Sequence, residues 1–266
     1  MKPFLKWAGN KYQIVARILA LLPPGKRLVE PFVGSAALFL NSSYPRYLLA
    51  DSNGDLINLY RQLQSEGEAF IAYCQELFTP AHNNKERYYA LRATFNETDD
   101  GRYKAALFLY LNRHGYNGLC RYNSRGKFNV PFGRYKRPYF PEKEMRYFAA
   151  KAETAEFVQF DFTKTLAAAV PGDVVYADPP YHPLSATANF TSYSANSFGL
   201  AEQISLARAA ERLAAAGIPV LLSNHDTPLT RQEYGRAVIH SFDVQRTISC
   251  QGDNRAKVKE LLALFT

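Results

Sequence analysis

Short apolar segments alternate with helical patterns at both ends of the chain, and the middle of the chain breaks this alternation. Near the start, amphipathic helices are predicted over residues 11–22 and 35–41, and apolar runs lie at 26–32 and 47–51. Further on, apolar runs at 157–160, 174–177 and 219–222 accompany a helix over 201–216, and final strands are predicted over 237–246 and 257–265. Strands that alternate with helices are typical of a parallel sheet covered by helices. The sequence therefore predicts an α/β fold.

The middle of the chain predicts an insertion of a different kind. Helical periodicity is found over residues 56–78, 86–95 and 103–112, and residues 115–138 are rich in Gly, Asn, Pro and Arg. We interpret this part as a group of helices that carries a basic hairpin. A separate loop over 183–198, rich in Ser, Thr and Asn, is long enough to be a functional lid or simply a mobile segment.

The net charge of +8 is concentrated in the insertion. From Gly101 to Pro141 there are nine Lys and Arg residues, ten aromatic residues and no acidic residue, whereas 23 basic and 24 acidic residues nearly cancel elsewhere. Basic side chains neutralise phosphates, and aromatic rings stack on bases. A solvated basic face over an aromatic core would have the same composition. The length of the acid-free run favours nucleic acid as the partner.

Composition and cysteine content narrow the class of protein. The hydrophobic content of 47% and the charged content of 21% are those of a globular chain rather than a disordered or fibrous one. Cys74, Cys120 and Cys250 are odd in number and widely spaced, which disfavours disulfides and a zinc site. No apolar run has the length of a membrane helix, and the first residues do not resemble a signal peptide. We expect a cytoplasmic monomer that does not bind membranes.

A glycine turn and a carboxylate indicate a ligand site. The segment Glu30–Ser35 lies where a predicted strand turns into a helix, and Asp51 ends the next strand. Glycine at such a turn lets a ligand approach the backbone, and a carboxylate after the second strand accepts hydrogen bonds from ribose hydroxyls. Taken alone, Gly34 is also consistent with a tight turn, and Asp51 with a cap for the following helix.

The most specific motif is Asp178-Pro179-Pro180-Tyr181, which follows the apolar run at 174–177. Two prolines cannot continue a central strand, so the chain leaves the sheet at its carboxyl edge, where α/β proteins bind ligands. The Asp178 carboxylate and the Pro179 carbonyl could accept both hydrogens of an exocyclic amine, and Tyr181 could stack on the ring that bears it. Two acceptors favour a more nucleophilic nitrogen. The alternative is an ordinary turn at the end of a strand.

These motifs, in this order, resemble the DNA adenine-N6 methyltransferases of the Dam type, α group. The similarity extends from Phe4 to Phe265, and it is carried by residues 4–11 (FLKWAGNK), 28–34 (LVEPFVG), 107–122, 128–135, 178–181 (DPPY), 183–190 and 223–226 (SNHD). The resemblance implies a Rossmann-like methyltransferase sheet, with residues 1–54 and 155–266 as the catalytic domain. Residues 55–154 would be the inserted helical target-recognition domain with a β-hairpin.

The resemblance also implies ligands and individual roles. It implies S-adenosyl-L-methionine as methyl donor, an adenine flipped out of double-stranded DNA as acceptor, GATC as target, and no metal. Donor contacts are expected from Trp7, Lys11, Glu30, Phe32, Gly34, Asp51, Asp161 and Asp178, and adenine contacts from Asp178, Pro179, Pro180 and Tyr181. DNA contacts are expected from Lys6, Arg113, Tyr116, Asn117, Leu119, Arg121, Asn123, Pro131, Arg134, Tyr135 and Lys136. Among these, Arg121 would read a guanine, and Arg134 and Lys136 would contact phosphates.

The chain departs from the family pattern at two positions. Gly9-Asn10 stands where paired glycines are usual, and Asn adopts the left-handed conformation more readily than other residues with a side chain. Ala36 stands where the family commonly has a second glycine. Its methyl group either crowds the donor or favours the start of the following helix.

Other activities fit the sequence less well. A cytosine-C5 methyltransferase needs a catalytic thiol, usually after a proline, and the three cysteines here follow Tyr, Leu and Ser. Methyltransferases that act on RNA or on protein amides usually have Asn in place of Asp178. A metal-dependent nuclease is disfavoured, because the sequence shows no pair of acidic residues with a nearby lysine. We expect His225 to be a structural residue rather than a general base. A GATC-binding protein without catalysis stays open as the alternative.

Overall fold

The computed structural model describes residues 1–181, 198–245 and 257–266, and a seven-stranded sheet forms its centre. The strands are β1 (Arg27–Glu30), β2 (Arg46–Ala50), β3 (Ala155–Val158), β4 (Asp173–Ala177), β5 (Val220–His225), β6 (Val238–Gln245) and β7 (Lys257–Phe265). Their order is β3-β2-β1-β4-β5-β7-β6. Strands β1 to β5 are parallel, and β7 is antiparallel to both of its neighbours. The predicted α/β fold with a Rossmann-like sheet is confirmed.

The strand order reverses between β1 and β4, which are hydrogen-bonded neighbours. From β1 the chain adds β2 and β3 on one side, and from β4 it adds β5 on the other. Ligands of open α/β sheets bind in the crevice that such a reversal leaves at the carboxyl ends of the strands. Glu30 ends β1 and Asp178 directly follows β4, so both carboxylates lie at this crevice.

Helices cover both faces of the sheet. They are α1 (Val15–Leu21), α2 (Gly54–Glu66), α3 (Glu68–Gln75), α4 (Lys85–Glu97), α5 (Gly101–His114), α6 (Glu142–Ala152), α7 (Phe162–Ala167), α8 (Leu200–Ala215) and α9 (Pro228–Glu233). Leu28 and Val174 point to the apolar layer formed with α2 and α6, whereas Val29 and Val175 point to the layer formed with α7 and α8. Burial on both faces explains why the strands are continuous apolar runs.

The insertion shares its core with the sheet. Tyr60 of α2 and Phe148 of α6 pack on Phe157 of β3, and Arg61 donates a hydrogen bond of 2.8 Å to the Phe157 carbonyl. One apolar cluster continues from these contacts into α3, α4 and α5. Helices α2 and α6 therefore form part of the layer on the sheet, and the predicted boundaries near residues 54 and 154 do not separate two independent apolar cores.

The predicted helix over 35–41 is wrong. Only Phe39–Asn41 forms a single 3-10 turn there, because Gly34 and Ala36 have φ values of 46° and 60°. A residue in the left-handed region cannot continue a right-handed helix. The helix predicted over 11–22 is present as a 3-10 turn, Tyr12–Ile14, followed by α1, and the pattern over 56–78 divides into α2 and α3 at Gly67.

Some predictions fall outside the described residues. These are the motif at 183–190, almost all of the loop over 183–198, Cys250, and Arg246 at the end of a predicted strand. Within the described ranges, no helix combines the length and the apolar character that crossing a bilayer requires.

Candidate active site and nucleic-acid interface

The Asp178–Tyr181 turn leaves the sheet at the end of β4, beside the N-terminal segment. The Nζ atom of Lys11 lies 2.9 Å from Oδ1 of Asp178, and it also donates to the Gly9 carbonyl at 2.8 Å. The same ammonium lies 4.5 Å from the centre of the Tyr181 ring. Lys11 therefore contacts both the carboxylate and the ring that the sequence assigns to the acceptor base.

Charges of both signs act on this turn. Burial raises the pKa of Asp178 and the nearby carboxylate of Glu260 adds to the rise, whereas Lys11 opposes it. Burial, together with the charges of Asp178 and Glu260, raises the pKa of the Tyr181 hydroxyl well above its usual value. The Tyr181 hydroxyl is therefore neutral and able to donate, and Lys11, with a smaller contribution from Tyr181, favours the ionised form of Asp178.

A buried polar network holds the turn from behind. Nε2 of Gln203 in α8 donates to the Pro180 carbonyl at 2.8 Å, and Nδ2 of Asn224 in β5 donates to Oε1 of Gln203 at 2.9 Å. Asn224 also donates to the Tyr234 hydroxyl at 2.9 Å. Buried polar groups with satisfied hydrogen bonds fix one geometry. Asn224, within the 223–226 motif, thus helps to hold the proline turn in place.

Two residues of the neighbouring strands enclose the Tyr181 ring. The buried His225 ring on β5 lies edge-on at 4.7 Å between ring centres, and the Tyr181 hydroxyl donates to Oε2 of Glu260 at 3.3 Å. Glu260 was missed by the sequence analysis, because only the antiparallel course of β7 brings it to this edge. The one signal available is an acidic residue at the start of an otherwise apolar stretch.

Gly34 and Asp51 form a second cluster at the ends of β1 and β2. The Gly34 N–H donates to Oδ2 of Asp51 at 3.1 Å, and the Asn53 N–H donates to Oδ1 at 3.0 Å. Burial raises the pKa of Asp51, and these backbone donors oppose the rise. A Cβ atom at Gly34 would lie 2.9 Å from Nε1 of Trp7, so the close approach and the positive φ both require glycine. An ionised carboxylate has about four acceptor positions, so Asp51 can accept further donors.

Glu30 is a buried carboxylate with an unused acceptor. Its side chain is 2% exposed, and its Oε1 atom has no hydrogen-bond partner among the described residues. Burial raises its pKa to about 8, and the negative charge of Asp178 adds to the rise. An unsatisfied buried acceptor costs free energy that a donor can recover. Glu30 is therefore suited to a ligand that carries an amino group.

The remaining predicted donor contacts lie around three phenylalanine rings. Phe32 stacks on Phe162 with 5.8 Å between ring centres and packs edge-on against Phe198 at 5.4 Å. Asp161 directly precedes Phe162 and caps α7, because its Oδ1 accepts from the Lys164 N–H at 2.8 Å. This cap and the nearby Thr163 hydroxyl lower the pKa of Asp161. The structure thus places Asp161 at the same sheet edge as Phe32, with one oxygen already in use.

The predicted hairpin is present as an irregular antiparallel pair over residues 115–133. Isolated bridges join Gly115 to Phe132 and Tyr122 to Phe128. The Asn123 side chain closes the turn by accepting the backbone N–H groups of residues 125 and 127 at 2.9 and 3.0 Å. Asn123 therefore has a clear structural role, and its predicted DNA contact remains a prediction.

The residues predicted to meet the bases lie on the outside of this hairpin. Tyr116 is 52% exposed, Leu119 is half-buried, and Asn117 is exposed with a φ of 53°. Arg121 is exposed, and its guanidinium donates to the side-chain oxygen of Asn129 at 2.8 Å and to its carbonyl at 3.3 Å. Asn129 thus holds the arginine across the hairpin and leaves its outer face open to solvent.

The segment after the hairpin approaches the N-terminal segment. Pro131, Arg134 and Lys136 are exposed. The Tyr135 hydroxyl accepts from the Asn117 N–H at 3.0 Å, and the Lys6 ammonium lies 3.9 Å from the centre of the Tyr135 ring. Burial lowers the pKa of Lys6, and the positive charge of Arg113 adds to this effect. The structure therefore brings Lys6, Asn117 and Tyr135 together, as one surface for DNA would require.

Arg113 lies inside the protein, unlike the other predicted DNA contacts. It is 9% exposed at the end of α5, where its Nε donates to the Tyr139 carbonyl at 2.9 Å and its Nη1 to the Phe4 carbonyl at 3.3 Å. These bonds join the N-terminal segment to the chain beyond the hairpin. Arg113 thus has an internal bonding role, and a contact with DNA would require it to leave these partners.

Two further contacts tie the hairpin to the start of α2. Nδ2 of Asn53 lies 3.4 Å from the Cys120 sulfur, and the Tyr122 hydroxyl donates to Oδ2 of Asp55 at 2.7 Å. Cys120 and Tyr122 flank the arginine that is predicted to read a base, and Asn53 also donates to the carboxylate that ends β2. The hairpin is therefore anchored beside the cluster at the sheet edge.

The fold and the site together define the class of protein. Three carboxylates, Glu30, Asp51 and Asp178, lie at the carboxyl ends of adjacent parallel strands, and an exposed basic hairpin is anchored beside them. This is the arrangement of an α/β enzyme that binds a nucleotide-like ligand and acts on nucleic acid. Among the described residues, no group of three His, Cys, Asp or Glu side chains could hold a metal ion.

Comparisons with known proteins identify the family. Residues 7–248 match the D12 class N6 adenine-specific DNA methyltransferases. Relatives named DNA adenine methylase from Salmonella typhi and Escherichia coli K12 are each 54% identical over 264 residues, covering 99% of this chain and 95% of theirs. One from Vibrio cholerae is 52% identical over 266 residues, covering 100% of this chain and 96% of its own. The chain belongs to the D12 class of N6 adenine-specific DNA methyltransferases, which confirms the resemblance seen in the sequence.

Proposed function

We propose that this protein transfers a methyl group from S-adenosyl-L-methionine to N6 of an adenine flipped out of double-stranded DNA, at GATC sites. The observation that carries the proposal is the Asp178–Tyr181 turn at the end of β4, next to the carboxylate cluster at the ends of β1 and β2. This arrangement would hold an amine and a donor side by side, which is the proximity that group transfer needs.

The residues at the sheet edge fit the donor that the methyltransferase family implies. The unsatisfied Oε1 of buried Glu30 suits the amino group of the methionine part, and Asp51 suits the ribose hydroxyls. The missing side chain of Gly34 lets the Trp7 indole pack against the turn, and Phe32 would provide an apolar ring for the adenine part. When bound, S-adenosyl-L-methionine supplies an electrophilic methyl group.

The proline turn is proposed to activate the acceptor. The Asp178 carboxylate and the Pro179 carbonyl would accept the two N6 hydrogens, which favours a tetrahedral nitrogen with its lone pair available for attack. The Lys11 ammonium lies against Asp178 and favours its ionised form, in opposition to the effect of burial on its pKa. Tyr181 would stack on the adenine ring, held by Lys11 and by the edge of His225. The hydrogen bonds of Gln203 and Asn224 would hold the Pro180 backbone in place during methyl transfer.

The hairpin is proposed to recognise the sequence. Tyr116, Asn117 and Leu119 would intrude among the stacked bases and fill the space left by the flipped adenine. The planar fork of Arg121 fits O6 and N7 of a guanine, and Asn129 already orients it. Arg134 and Lys136 would hold phosphates, which position the protein without selecting a sequence. Residues 55–154 would act as the recognition domain, and the enzyme would work as a monomer in the cytoplasm.

The decisive experiment measures transfer of a labelled methyl group to a duplex with one GATC site and to the same duplex with the site scrambled. We expect label on adenine N6 of the GATC duplex alone. Asp178→Ala should abolish transfer and keep specific binding to GATC, because the carboxylate acts on the amine and not on the duplex. Asp243→Ala, which removes an exposed carboxylate on β6, is the matched control and should retain the wild-type rate.

Each of the other outcomes changes one part of the proposal. Label on both duplexes would keep the chemistry and remove the GATC assignment. Asp178→Ala with a rate within about tenfold of the wild type would remove the role of that carboxylate. Preferential binding to GATC without any label would favour the alternative function, a binding protein that lacks catalysis.

A further inference from the structure

Glu260 lies in the active-site region because of the direction of its strand. Strand β7 runs antiparallel to β5, so its first half lies at the carboxyl edge where β4 and β5 end. In this register Glu260 is opposite His225 on β5 and opposite Phe242 on β6. The next residue, Leu261, is buried in the apolar layer on one face of the sheet. Side chains alternate along a strand, so Glu260 belongs to the other face, where its carboxylate meets Tyr181.

Three side chains restrain the Tyr181 ring from different directions. The ammonium of Lys11 lies over the ring, the His225 ring packs against it in a T-shaped arrangement, and the Tyr181 hydroxyl donates a hydrogen bond to Oε2 of Glu260 at 3.3 Å. The first two contacts act on the ring body, which can still pivot about its Cβ. The contact to Glu260 acts on the far end of the side chain and therefore limits this pivot.

We infer that Glu260 is a positioning residue for the acceptor base: its carboxylate tethers the Tyr181 hydroxyl and so fixes the plane on which the adenine stacks. This inference rests on the proposed function, in which Tyr181 forms that stacking surface. A hydrogen bond to a charged acceptor is stronger than one between neutral groups, so a carboxylate is well suited to hold the hydroxyl. Glu260 touches no reacting atom in this scheme, and it acts only through Tyr181.

The backbone of β7 does not depend on this side chain. The register between β5 and β7 extends from Val220 opposite Phe265 to His225 opposite Glu260, and main-chain hydrogen bonds form it. Replacing the carboxylate therefore leaves the ladder and the buried leucines of β7 in place. Lys259, one residue earlier, has an exposed side chain and provides a matched control on the same strand.

The test is a double-mutant cycle that combines Glu260→Ala with Tyr181→Phe, read out as the single-turnover rate of methyl transfer to a GATC duplex. We expect Glu260→Ala to slow this step by about tenfold, because a charged hydrogen bond is lost. In the Tyr181→Phe background, the same change should alter the rate by less than about twofold, since the hydroxyl is already absent. Glu260→Gln should restore the rate to within about threefold of the wild type, because an amide oxygen also accepts.

Two further readouts separate positioning from a general loss of structure. A duplex with 2-aminopurine at the target adenine reports stacking of the flipped base, and its fluorescence in the complex should rise in Glu260→Ala and recover in Glu260→Gln. The KM for S-adenosyl-L-methionine should stay within about twofold of the wild type in both variants. Lys259→Ala should match the wild type in rate, in fluorescence and in KM.

Specific results would overturn the inference. A Glu260→Ala rate within twofold of the wild type, or effects of Glu260→Ala and Tyr181→Phe that simply multiply, would show that Glu260 does not act through the hydroxyl. An increased KM for the donor with unchanged 2-aminopurine fluorescence would indicate that Glu260 acts on donor binding and not on the acceptor base. Tyr181→Ala tests the stacking role of Tyr181 separately from the positioning role of Glu260. A wild-type rate in Tyr181→Ala would refute the proposed stacking role, whatever the effect of Glu260→Ala.

Discussion

Ala36 is the buried one of the three non-glycine residues that have a positive φ in the described part of the chain. It has a φ of 60° and its methyl group is fully buried. A left-handed conformation costs a residue with a Cβ about 1–2 kcal/mol. Ala36→Gly removes this cost, but glycine adds about 0.5–1 kcal/mol of backbone entropy and the lost methyl about 0.8 kcal/mol. We therefore expect Ala36→Gly to change the free energy of unfolding by less than about 1 kcal/mol in either direction.

The neighbouring residue provides the matched control. Ala37 is also buried, at 5% exposure, and its φ is negative. Ala37→Gly gains no relief of strain, so it should destabilise the protein by about 1.3–1.8 kcal/mol. The assay is urea unfolding followed by circular dichroism, with the slope against urea concentration compared among the three proteins to confirm that the unfolded states are equivalent. The difference between the two variants measures the strain at Ala36.

Equal destabilisation in the two variants would refute this reasoning, because the left-handed conformation would then carry no measurable cost. The same variant tests the two explanations of Ala36 that the sequence left open. No helix begins at Ala36, and its buried methyl group is not exposed to an open crevice. We therefore expect Ala36→Gly to bind S-adenosylhomocysteine with an affinity within about twofold of the wild type by calorimetric titration. A tenfold gain would show that the methyl group crowds the donor.

Other changes test the DNA interface and the buried carboxylate. Arg121→Ala should lose about 1–3 kcal/mol of discrimination at one guanine, measured by binding to duplexes with single substitutions; equal losses on all duplexes would assign Arg121 to phosphate. Lys136→Ala should weaken binding to every sequence and lower the slope of log K against log salt by about one, and an unchanged slope would remove it from the interface. Burial raises the pKa of Glu30 from 4.5 to about 8. Between these pH values the folded state retains a proton that the unfolded state has lost, so the free energy of unfolding falls as the pH rises. Glu30→Gln should remove that fall, so its advantage over the wild type in urea unfolding should grow from about pH 5 to about pH 8.5, and a constant difference would contradict the assignment.

The strands could be predicted because their burial leaves a direct mark on the sequence. Strand β4 is buried on both faces, so the run at 174–177 is wholly apolar, and the prolines that follow mark its end. The helix prediction over 35–41 failed because the structure of this segment leaves no such mark on the sequence. Its residues are apolar and small enough for a helix, but Gly34 and Ala36 both have left-handed backbones, and Gly34 packs closely against Trp7. That tertiary contact has no local signal.

Two site residues differ in how far their positions could be predicted from the sequence. The sequence predicts a DNA contact for Arg113, although the last ten residues of α5 are all buried. An apolar pattern on every face of a helix indicates a buried helix, so this signal was present in the sequence. Glu260 could not be placed, because its proximity to Tyr181 depends on the insertion of β7 between β5 and β6 in the antiparallel direction. The sequence of a single strand does not indicate whether it runs parallel or antiparallel to its neighbours.

The N-terminal segment explains how the residues predicted to contact the DNA, the donor and the acceptor base come to lie together. Lys6 lies over the Tyr135 ring, Trp7 packs against Gly34, and Lys11 pairs with Asp178. Lys11 is five residues after Lys6, so their Cα atoms lie at most about 18 Å apart. This short span keeps the three groups of residues close to one another.

This segment is held by the insertion as well as by the sheet edge. The buried Asn112 of α5 accepts from the Lys6 N–H at 2.9 Å and donates to the Lys6 carbonyl at 2.7 Å, as a neighbouring strand would. Asn112 also donates to the Gly118 carbonyl in the hairpin at 3.2 Å. One side chain therefore fixes both the hairpin and the segment that carries Lys11 to Asp178. It follows that the insertion also supports the N-terminal segment from which Lys11 reaches Asp178.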